Sequence, residues 1–188
     1  VLSFLGWALY RWVTGVYIGL VDGPVFVVYA MVFLIIFFLR GGMGEEMGWR
    51  GYALPALMES YSALTASLII GVIWAGWHIP QFFVQDSSQQ GPFAIYLVGV
   101  VGLSVILSWL YVNTRGSVLL VVVFHTQWNV FDSGALFTFS EQLPLIGPIA
   151  STLVIWAVAF FIILTTGLTL RSDSTSNTAS KSQRDVRA

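Results

Sequence analysis

The chain has 188 residues, of which 57% are hydrophobic and only 9% are charged, and its formal net charge is −1. Soluble domains carry about 25% charged residues, so this chain cannot cover a water-facing surface and its composition predicts an integral membrane protein. No basic patch is interleaved with aromatic residues, which excludes a nucleic-acid partner. The absence of cysteine excludes disulfides, thiolate metal sites and a cysteine nucleophile.

Continuous apolar runs, separated by glycine, proline and polar turns, predict helices in chain order. Most runs approach the roughly 20 residues that a transmembrane helix needs, whereas barrel strands alternate over roughly ten residues. The sequence therefore predicts an all-α polytopic membrane protein, a bundle of about six transmembrane helices. Because the chain starts at Val1 and not at methionine, we expect it to be a fragment or to lack an N-terminal helix. The predicted helices cover residues 1–20, 24–39, 44–60, 63–78, 92–111, 117–137 and 145–170.

The predicted organisation is one transmembrane domain over residues 1–170, followed by a polar tail over residues 171–188. The tail is rich in serine, threonine, asparagine and charge and has no apolar run, so we expect it to be disordered. No internal repeat is present, which disfavours a transporter built from two related halves.

Three charged residues fall within six positions of an otherwise apolar region: Glu45, Glu46 and Arg50. A charge at membrane depth is unfavourable by roughly 2.5–3.5 kcal/mol, so such residues indicate a functional site. Glu46 and Arg50 are four residues apart on a predicted helix and can form a salt bridge, whereas Glu45 points about 100° away. We therefore assign Glu46 and Arg50 to structure and Glu45 to chemistry.

The two histidines of the chain, His78 and His125, each lie in or at the end of an apolar run. Asn129 follows His125 by one helical turn and shares its face. A short break joins the predicted helices that carry Glu45 and His78, which predicts an antiparallel hairpin. Both residues lie about equally far from that break, so the spacing predicts that the carboxylate and the imidazole meet.

Each of these features also has a purely structural explanation. A Glu–Arg pair four residues apart is commonly a helix-surface salt bridge. A membrane histidine or asparagine often bonds a neighbouring helix, and Trp74 is expected to pack or to lie at the membrane interface. The combination favours a site, because structural bonds do not require nearly all the strongly polar side chains of the apolar region in one place.

Three short motifs, in this order, resemble the CPBP family of intramembrane proteases, also called Abi or CAAX-protease-like proteins. Glu-Glu-x-x-x-Arg is matched by residues 45–50 and His-x-x-x-Asn by residues 125–129. Phe-x-x-x-His is matched by residues 74–78, with Trp74 in place of phenylalanine. The resemblance extends over about residues 40–132. It implies a glutamic, metal-independent endopeptidase that needs no cofactor, with its active site in an intramembrane cavity.

The resemblance also implies roles for the polar residues of these motifs. Glu45 is the general base that acts on a water molecule, and His78 holds and polarises that water. His125 and Asn129 donate hydrogen bonds to the developing oxyanion. Glu46 and Arg50 fix the first motif helix and so support the site.

Two alternatives remain open at this point. Two histidines and a carboxylate are the ligand set of some catalytic zinc sites, which describes a zinc-dependent membrane metalloprotease. A non-catalytic bacteriocin-immunity or membrane scaffold protein that keeps the motifs is the second alternative. The expected partners are a peptide or membrane-tethered protein substrate and the lipid bilayer, and no motif indicates an oligomeric state. The expected location is a prokaryotic cell membrane, as a multi-pass protein.

The charges between the helices predict an orientation in that membrane. Arg115, Arg171 and the basic residues of the tail are cytoplasmic if the positive-inside rule holds, and Asp86 is then outside. The hairpin places Glu45 and His78 toward the outer side.

Overall fold

The chain is almost entirely helical in a computed structural model. The predicted helix over residues 1–20 lies outside the described residues except at positions 8 and 12, which are helical, and at Gly19–Leu20, which form a strand and not the expected helix end. The tail after residue 172 also lies outside the described residues. Two strands of two residues each, Gly19–Leu20 and Phe137–Thr138, pair antiparallel. The structure describes residues 24–39, 41–84, 91–132 and 145–172, the two strands and two isolated positions, 8 and 12.

Seven α-helices make up most of the described chain, and three shorter helical turns of other types connect or extend them. A π-helical turn, Trp49–Ala53, lies between α2 and α3, and 3-10 turns cover Ile79–Phe83 and Gly167–Thr169. The α-helices are α1 Val25–Leu39, α2 Gly42–Gly48, α3 Leu54–Met58, α4 Ala63–Trp77, α5 Phe93–Asn113, α6 Val118–Asp132 and α7 Ile146–Thr166.

The prediction of an all-α polytopic membrane protein is confirmed. Within the described residues, four helical stretches are long and apolar enough to cross a membrane, and the apolar helix Val118–Phe131 is a shorter fifth. Many large apolar side chains point outward, as expected where lipid replaces water as the solvent. The four long stretches are Val25–Met58, Ala63–Phe83, Phe93–Asn113 and Gly147–Thr169.

Gly41 separates α1 from α2. Its φ is +94°, a conformation that residues with a Cβ rarely adopt, so glycine lets the chain change direction here. The next residue, Gly42, is buried, and a Cβ there would overlap Thr126 Oγ1 of α6. The two glycines therefore bring the start of α2 into close contact with α6.

The π turn widens the helix that α2 and α3 would otherwise continue. The backbone N–H of Leu54 bonds the carbonyl of Trp49, five residues back, where an α-helix uses the fourth. One extra residue in a helical turn rotates the segments on either side by about 100° relative to each other. The faces of α2 and α3 therefore do not follow one continuous α-helical phase.

Helix α4 forms a hairpin with α3 and packs on α5. Ser62 caps its start, because the Ser62 side chain accepts a hydrogen bond from the Thr65 N–H at 3.1 Å. Gly71 lets α4 approach α5 closely, since a Cβ there would lie 2.8 Å from Val101 Cα. Gly102 does the same between α5 and α7, where a Cβ would lie 2.7 Å from Ile155 Cγ2.

Two predicted helix ends differ from the structure. The helix expected over 117–137 is described over Val118–Asp132, and its expected last residue, Phe137, lies in a strand instead. The helix expected over 145–170 ends at Thr166, because Gly167 takes a φ of +62° and a short 3-10 turn follows.

Candidate active site

The adjacent glutamates of α2 have different surroundings. Glu46 is fully buried, whereas Glu45 is half-buried and borders an open cavity of about 580 Å³. Consecutive helical residues are rotated by about 100°, so one helix presents these carboxylates in two directions. The site therefore has one sealed and one accessible carboxylate.

Glu46 is held by an arginine and a histidine. Arg50 Nη1 donates to both carboxylate oxygens, at 2.9 and 3.0 Å. His125 Nδ1 lies 2.8 Å from Glu46 Oε1, and because a carboxylate only accepts, this nitrogen carries the hydrogen. The His125 Nε2 is then left for another partner. The Glu46–Arg50 pair is the one expected from spacing, whereas the bond to His125 is an additional contact.

Arg50 connects the π turn to two further helices. Its Nη2 donates to the Ser104 carbonyl oxygen at 3.3 Å and to Ser104 Oγ at 3.0 Å. Ser104 Oγ in turn donates to the Ser67 carbonyl oxygen at 2.8 Å. The guanidinium also lies 5.0 Å from the centre of the Trp74 ring, a cation–π distance. A fully buried cation needs such partners because water cannot solvate it.

Glu45 is hydrogen-bonded by an indole. Trp74 Nε1 donates to Glu45 Oε2 at 2.5 Å. The other oxygen, Oε1, lies 2.5 Å from the position that a Cβ on Gly41 would occupy, and Asn129 Nδ2 lies 3.3 Å from the same position. Glu45 Oε1 and the Asn129 amide therefore approach one point, and Gly41 leaves it free because it has no side chain.

The cavity beside Glu45 has mainly small and aromatic walls. A Cβ on Gly44 or Gly48 would meet no atom within 4 Å, so this face of α2 is open. Among the described residues that line the cavity, Glu45 is the one that carries a charge. The lining residues are Gly41, Gly44, Glu45, Gly48, Trp49, Tyr52, Ala53 and Trp77.

His78 lies at the C-terminal end of α4 and is buried. Its Nδ1 is 2.9 Å from the Trp74 carbonyl oxygen, so Nδ1 donates there and Nε2 is left for another partner. Its ring packs 5.0 Å from the Trp77 ring and 5.5 Å from the Tyr96 ring, measured between ring centres.

The sequence predicted contact between Glu45 and His78, but Glu45 contacts Trp74, one turn earlier on α4. Within the described part of the chain no hydrogen bond joins these two side chains, and Glu45 is bonded to Trp74 instead. Trp74 and His78 are four residues apart and share one face of α4, so the spacing predicts the correct face and misses the height by one turn. The prediction assumes an uninterrupted α-helix from Glu45 to the break, whereas a π turn interrupts that segment. Glu45 and His78 are linked through Trp74, which bonds both.

His125 and Asn129 extend from α6 toward the two different carboxylates. His125 reaches Glu46, and its ring centre lies 5.2 Å from that of Trp74, edge to face. Asn129, one turn later, reaches the region beside Glu45 and Gly41. The structure thus brings all six residues predicted for the site to one region between α2, α4 and α6.

Two residues of the site, Trp74 and Ser104, were not predicted from the sequence. Trp74 was expected to be a packing residue, although an indole N–H inside an apolar helix needs an acceptor, and that need was a usable signal. Ser104 has no such signal, because its bond to Arg50 depends on how α5 packs against the π turn.

The described residues contain no group of three or more histidine, aspartate or glutamate side chains arranged to hold a metal ion. Glu46 Oε1 is instead bonded to His125 and Glu45 Oε2 to Trp74. The arrangement consists of one accessible carboxylate surrounded by hydrogen-bond donors.

These features define a polytopic helical membrane protein with a buried polar site. A family model described as Rce1-like, type II CAAX prenyl endopeptidase Rce1-like, matches residues 27–131, more than half of the chain. The chain belongs to this Rce1-like family, which confirms the CPBP resemblance. It is 32% identical over 127 residues to CAAX prenyl protease 2 of Methanococcus maripaludis. That match covers 64% of the chain and 45% of the relative, so the chain spans less than half of that relative's length.

Proposed function

We propose that this chain is an intramembrane endopeptidase in which Glu45 acts as general base on a water molecule. The observation that supports this proposal is the difference between the two glutamates. Glu46 is sealed and bonded by Arg50 and His125, whereas Glu45 opens onto the cavity. A general base must be accessible to water and substrate, and Glu45 meets that requirement. Membership of a family described as endopeptidases supports peptide hydrolysis as the reaction.

In the proposed reaction, Glu45 takes a proton from water while the water oxygen bonds to the carbonyl carbon of the scissile peptide. The electron pair of the carbonyl bond moves to its oxygen, which becomes an oxyanion. The C–N bond then breaks, the carbonyl bond re-forms, and the departing nitrogen takes the proton from Glu45. The products are a carboxylic acid and an amine, and the reaction needs no serine or cysteine nucleophile.

We assign hydrogen bonds in the reaction to three residues around this base. His78 is proposed to hold the water, and His125 and Asn129 are proposed to donate to the oxyanion. The bonds that occupy the two histidine Nδ1 atoms leave both Nε2 atoms for the reaction. Nε2 of a neutral His78 accepts a hydrogen bond from the water, whereas donation from His125 Nε2 to the oxyanion requires the imidazolium form, in which both ring nitrogens carry hydrogens. The proximity of the Asn129 amide to Glu45 Oε1 also supports this assignment. An oxyanion donor typically contributes about 2.7–4 kcal/mol.

The proposed substrates are peptides or proteins tethered to the membrane. The protein is proposed to be a multi-pass component of a prokaryotic cell membrane, since the described helices suit a bilayer. The related archaeal protein is named a CAAX prenyl protease. A peptide ending in a prenylated cysteine and three further residues is therefore one substrate to test, beside unprenylated membrane-anchored peptides.

The test compares Glu45→Gln with wild type in cells and in nanodiscs. We expect Glu45→Gln to accumulate in membranes at the wild-type level and to lose cleavage, because an amide cannot accept the proton of water. Comparative peptidomics of the two cell lines identifies the substrates that persist in the variant. Glu59→Gln, an exposed glutamate of the same chain, is the matched control and is expected to retain activity.

Two results would replace this mechanism. Loss of activity in a strong chelator, with recovery on adding zinc, indicates the zinc-dependent alternative. Full biological function of Glu45→Gln indicates a non-catalytic immunity or scaffold protein.

A further inference from the structure

Trp74 lies at the centre of the candidate site. Its indole N–H donates to Glu45 Oε2 at 2.5 Å, and its backbone carbonyl accepts from His78 Nδ1 at 2.9 Å. Its ring centre lies 5.0 Å from the Arg50 guanidinium carbon and 5.2 Å from the His125 ring centre. Trp74, only 2% exposed, therefore contacts both the accessible carboxylate of Glu45 and the buried cluster of Glu46, Arg50 and His125.

The orientation of this indole is restricted by its neighbours. The Arg50 guanidinium lies over the ring, and the His125 ring packs against it at 78°. An indole nitrogen is only a donor, so its direction determines which carboxylate oxygen it holds. In Glu45 that oxygen is Oε2, whereas Oε1 lies on the side of Gly41 and Asn129.

We infer that Trp74 is a positioning residue that selects which oxygen of Glu45 acts as the base. Oε1 takes the proton of the water, and Oε2 stays bonded to the indole. The inference rests on the proposed function of Glu45. The motif that residues 74–78 resemble has phenylalanine at this position. Phenylalanine keeps the aromatic ring but has no N–H. Trp74 therefore gives this chain a bond to the base that phenylalanine cannot form.

The physical reason is the freedom of a carboxylate to rotate about its last side-chain bond. This torsion is broad in glutamate, so an unheld carboxylate samples many orientations. A displacement of about 1 Å from the reactive geometry can lower a rate roughly 100-fold. The indole bond restricts this motion before the substrate arrives.

The first test is Trp74→Phe, with Trp156→Phe as matched control. Trp156 also donates one indole hydrogen bond, to the Val98 carbonyl oxygen at 2.8 Å, but it joins α7 to α5 outside the site. We expect Trp74→Phe to lower kcat roughly 10- to 100-fold and to leave KM within about twofold. Trp156→Phe is expected to keep kcat within about twofold of wild type. A Trp74→Phe enzyme with wild-type kcat would overturn the inference.

A second variant separates the N–H group from packing. Replacement of Trp74 by 3-benzothienylalanine keeps the two fused rings and exchanges the N–H for sulfur. The expected result is the same loss of kcat as in Trp74→Phe, with an unchanged Tm. Full activity of this variant would show that ring packing, and not the hydrogen bond, is what matters, and would overturn the inference.

A measurement that does not use cleavage completes the test. The indole 1H–15N signal of Trp74 in nanodiscs is assigned by its loss in Trp74→Phe. In Glu45→Gln this signal is expected to shift more than that of Trp156, because its acceptor has lost its charge. If the signal does not shift in Glu45→Gln although the wild-type protein cleaves its substrate, the role of Trp74 is overturned. If the signal does shift in Glu45→Gln but the wild-type protein cleaves no tested substrate, the result counts against the proposed function instead.

Discussion

Replacing Glu46 with glutamine keeps the shape of the side chain and removes one charge from a sealed cluster. In the wild-type protein Arg50 lies 2.9 Å and His125 2.8 Å from Glu46 Oε1. The side chains of Glu46 and Arg50 are both 0% exposed, so water cannot compensate a lost partner. Breaking a buried ion pair from one side costs about 3–5 kcal/mol, and we expect Glu46→Gln to lower the free energy of unfolding by that amount.

The two halves of the pair are not equivalent. A guanidinium remains charged at every accessible pH, whereas a carboxyl group can become neutral by taking up a proton. Glu46→Gln leaves the buried positive charge of Arg50, which cannot be neutralised by loss of a proton. We therefore expect Glu46→Gln to destabilise the protein more than Arg50→Gln does. The double variant leaves neither charge and is expected to recover part of the loss.

Unfolding in nanodiscs or mixed micelles measures these differences. A loss of about 3 kcal/mol corresponds to a fall in Tm of roughly 6–12 °C for a chain of this length. The control is Glu59→Gln, whose side chain is exposed and whose expected change is within about 0.5 kcal/mol. The reasoning is refuted if Glu46→Gln stays within about 1 kcal/mol of wild type, or if the double variant loses the full sum of the single losses.

Three further predictions test the glycines and the orientation in the membrane. Gly41→Ala is expected to reduce cleavage by more than about tenfold. The φ of residue 41 is +94°, and the new Cβ would lie 2.5 Å from Glu45 Oε1. A wild-type kcat in this variant would contradict the prediction. Gly71→Ala is expected to cost about 1–3 kcal/mol of unfolding free energy, because its Cβ would lie 2.8 Å from the α5 backbone. Gly76→Ala, whose Cβ would meet nothing within 4 Å, should cost nothing, and equal losses in the two variants would contradict the packing argument. Single cysteines in this cysteine-free chain, Asp86→Cys and Arg115→Cys, should react with an impermeant reagent from opposite sides of the membrane, and labelling from one side would exclude the predicted orientation.

Much of the fold follows from local signals that a reader can find in the sequence. The break before α4 is marked by Ser62, whose side chain caps the helix at Ala63. The pair Glu46–Arg50 follows from four-residue spacing, because both partners lie along one helical stretch and their distance depends mainly on local geometry. Such features need no knowledge of how the helices pack.

The contacts between helices were harder to predict. The bond from His125 to Glu46 depends on how α6 lies against α2, and hydropathy does not determine that arrangement. The partner of Glu45 was expected one turn too late on α4, because the prediction took the rise of an uninterrupted α-helix for a segment that contains a π turn. Prediction of such long-range contacts therefore requires the angles at which the helices pack, and only the folded structure gives those angles.

The π turn at Trp49–Ala53 also restricts how the length of this chain can change. Removing one residue from this turn would restore ordinary four-residue hydrogen bonding and rotate α2 by about 100° relative to α3. If α3 stayed in place in its hairpin with α4, Glu45 would turn away from Trp74, and Glu46 from His125. A single-residue deletion here is therefore expected to be more damaging than most side-chain substitutions, although no side chain of the turn itself has to react. A related sequence that aligns without a gap across these five residues has the length needed for the same π turn, and so for the same placement of the two glutamates.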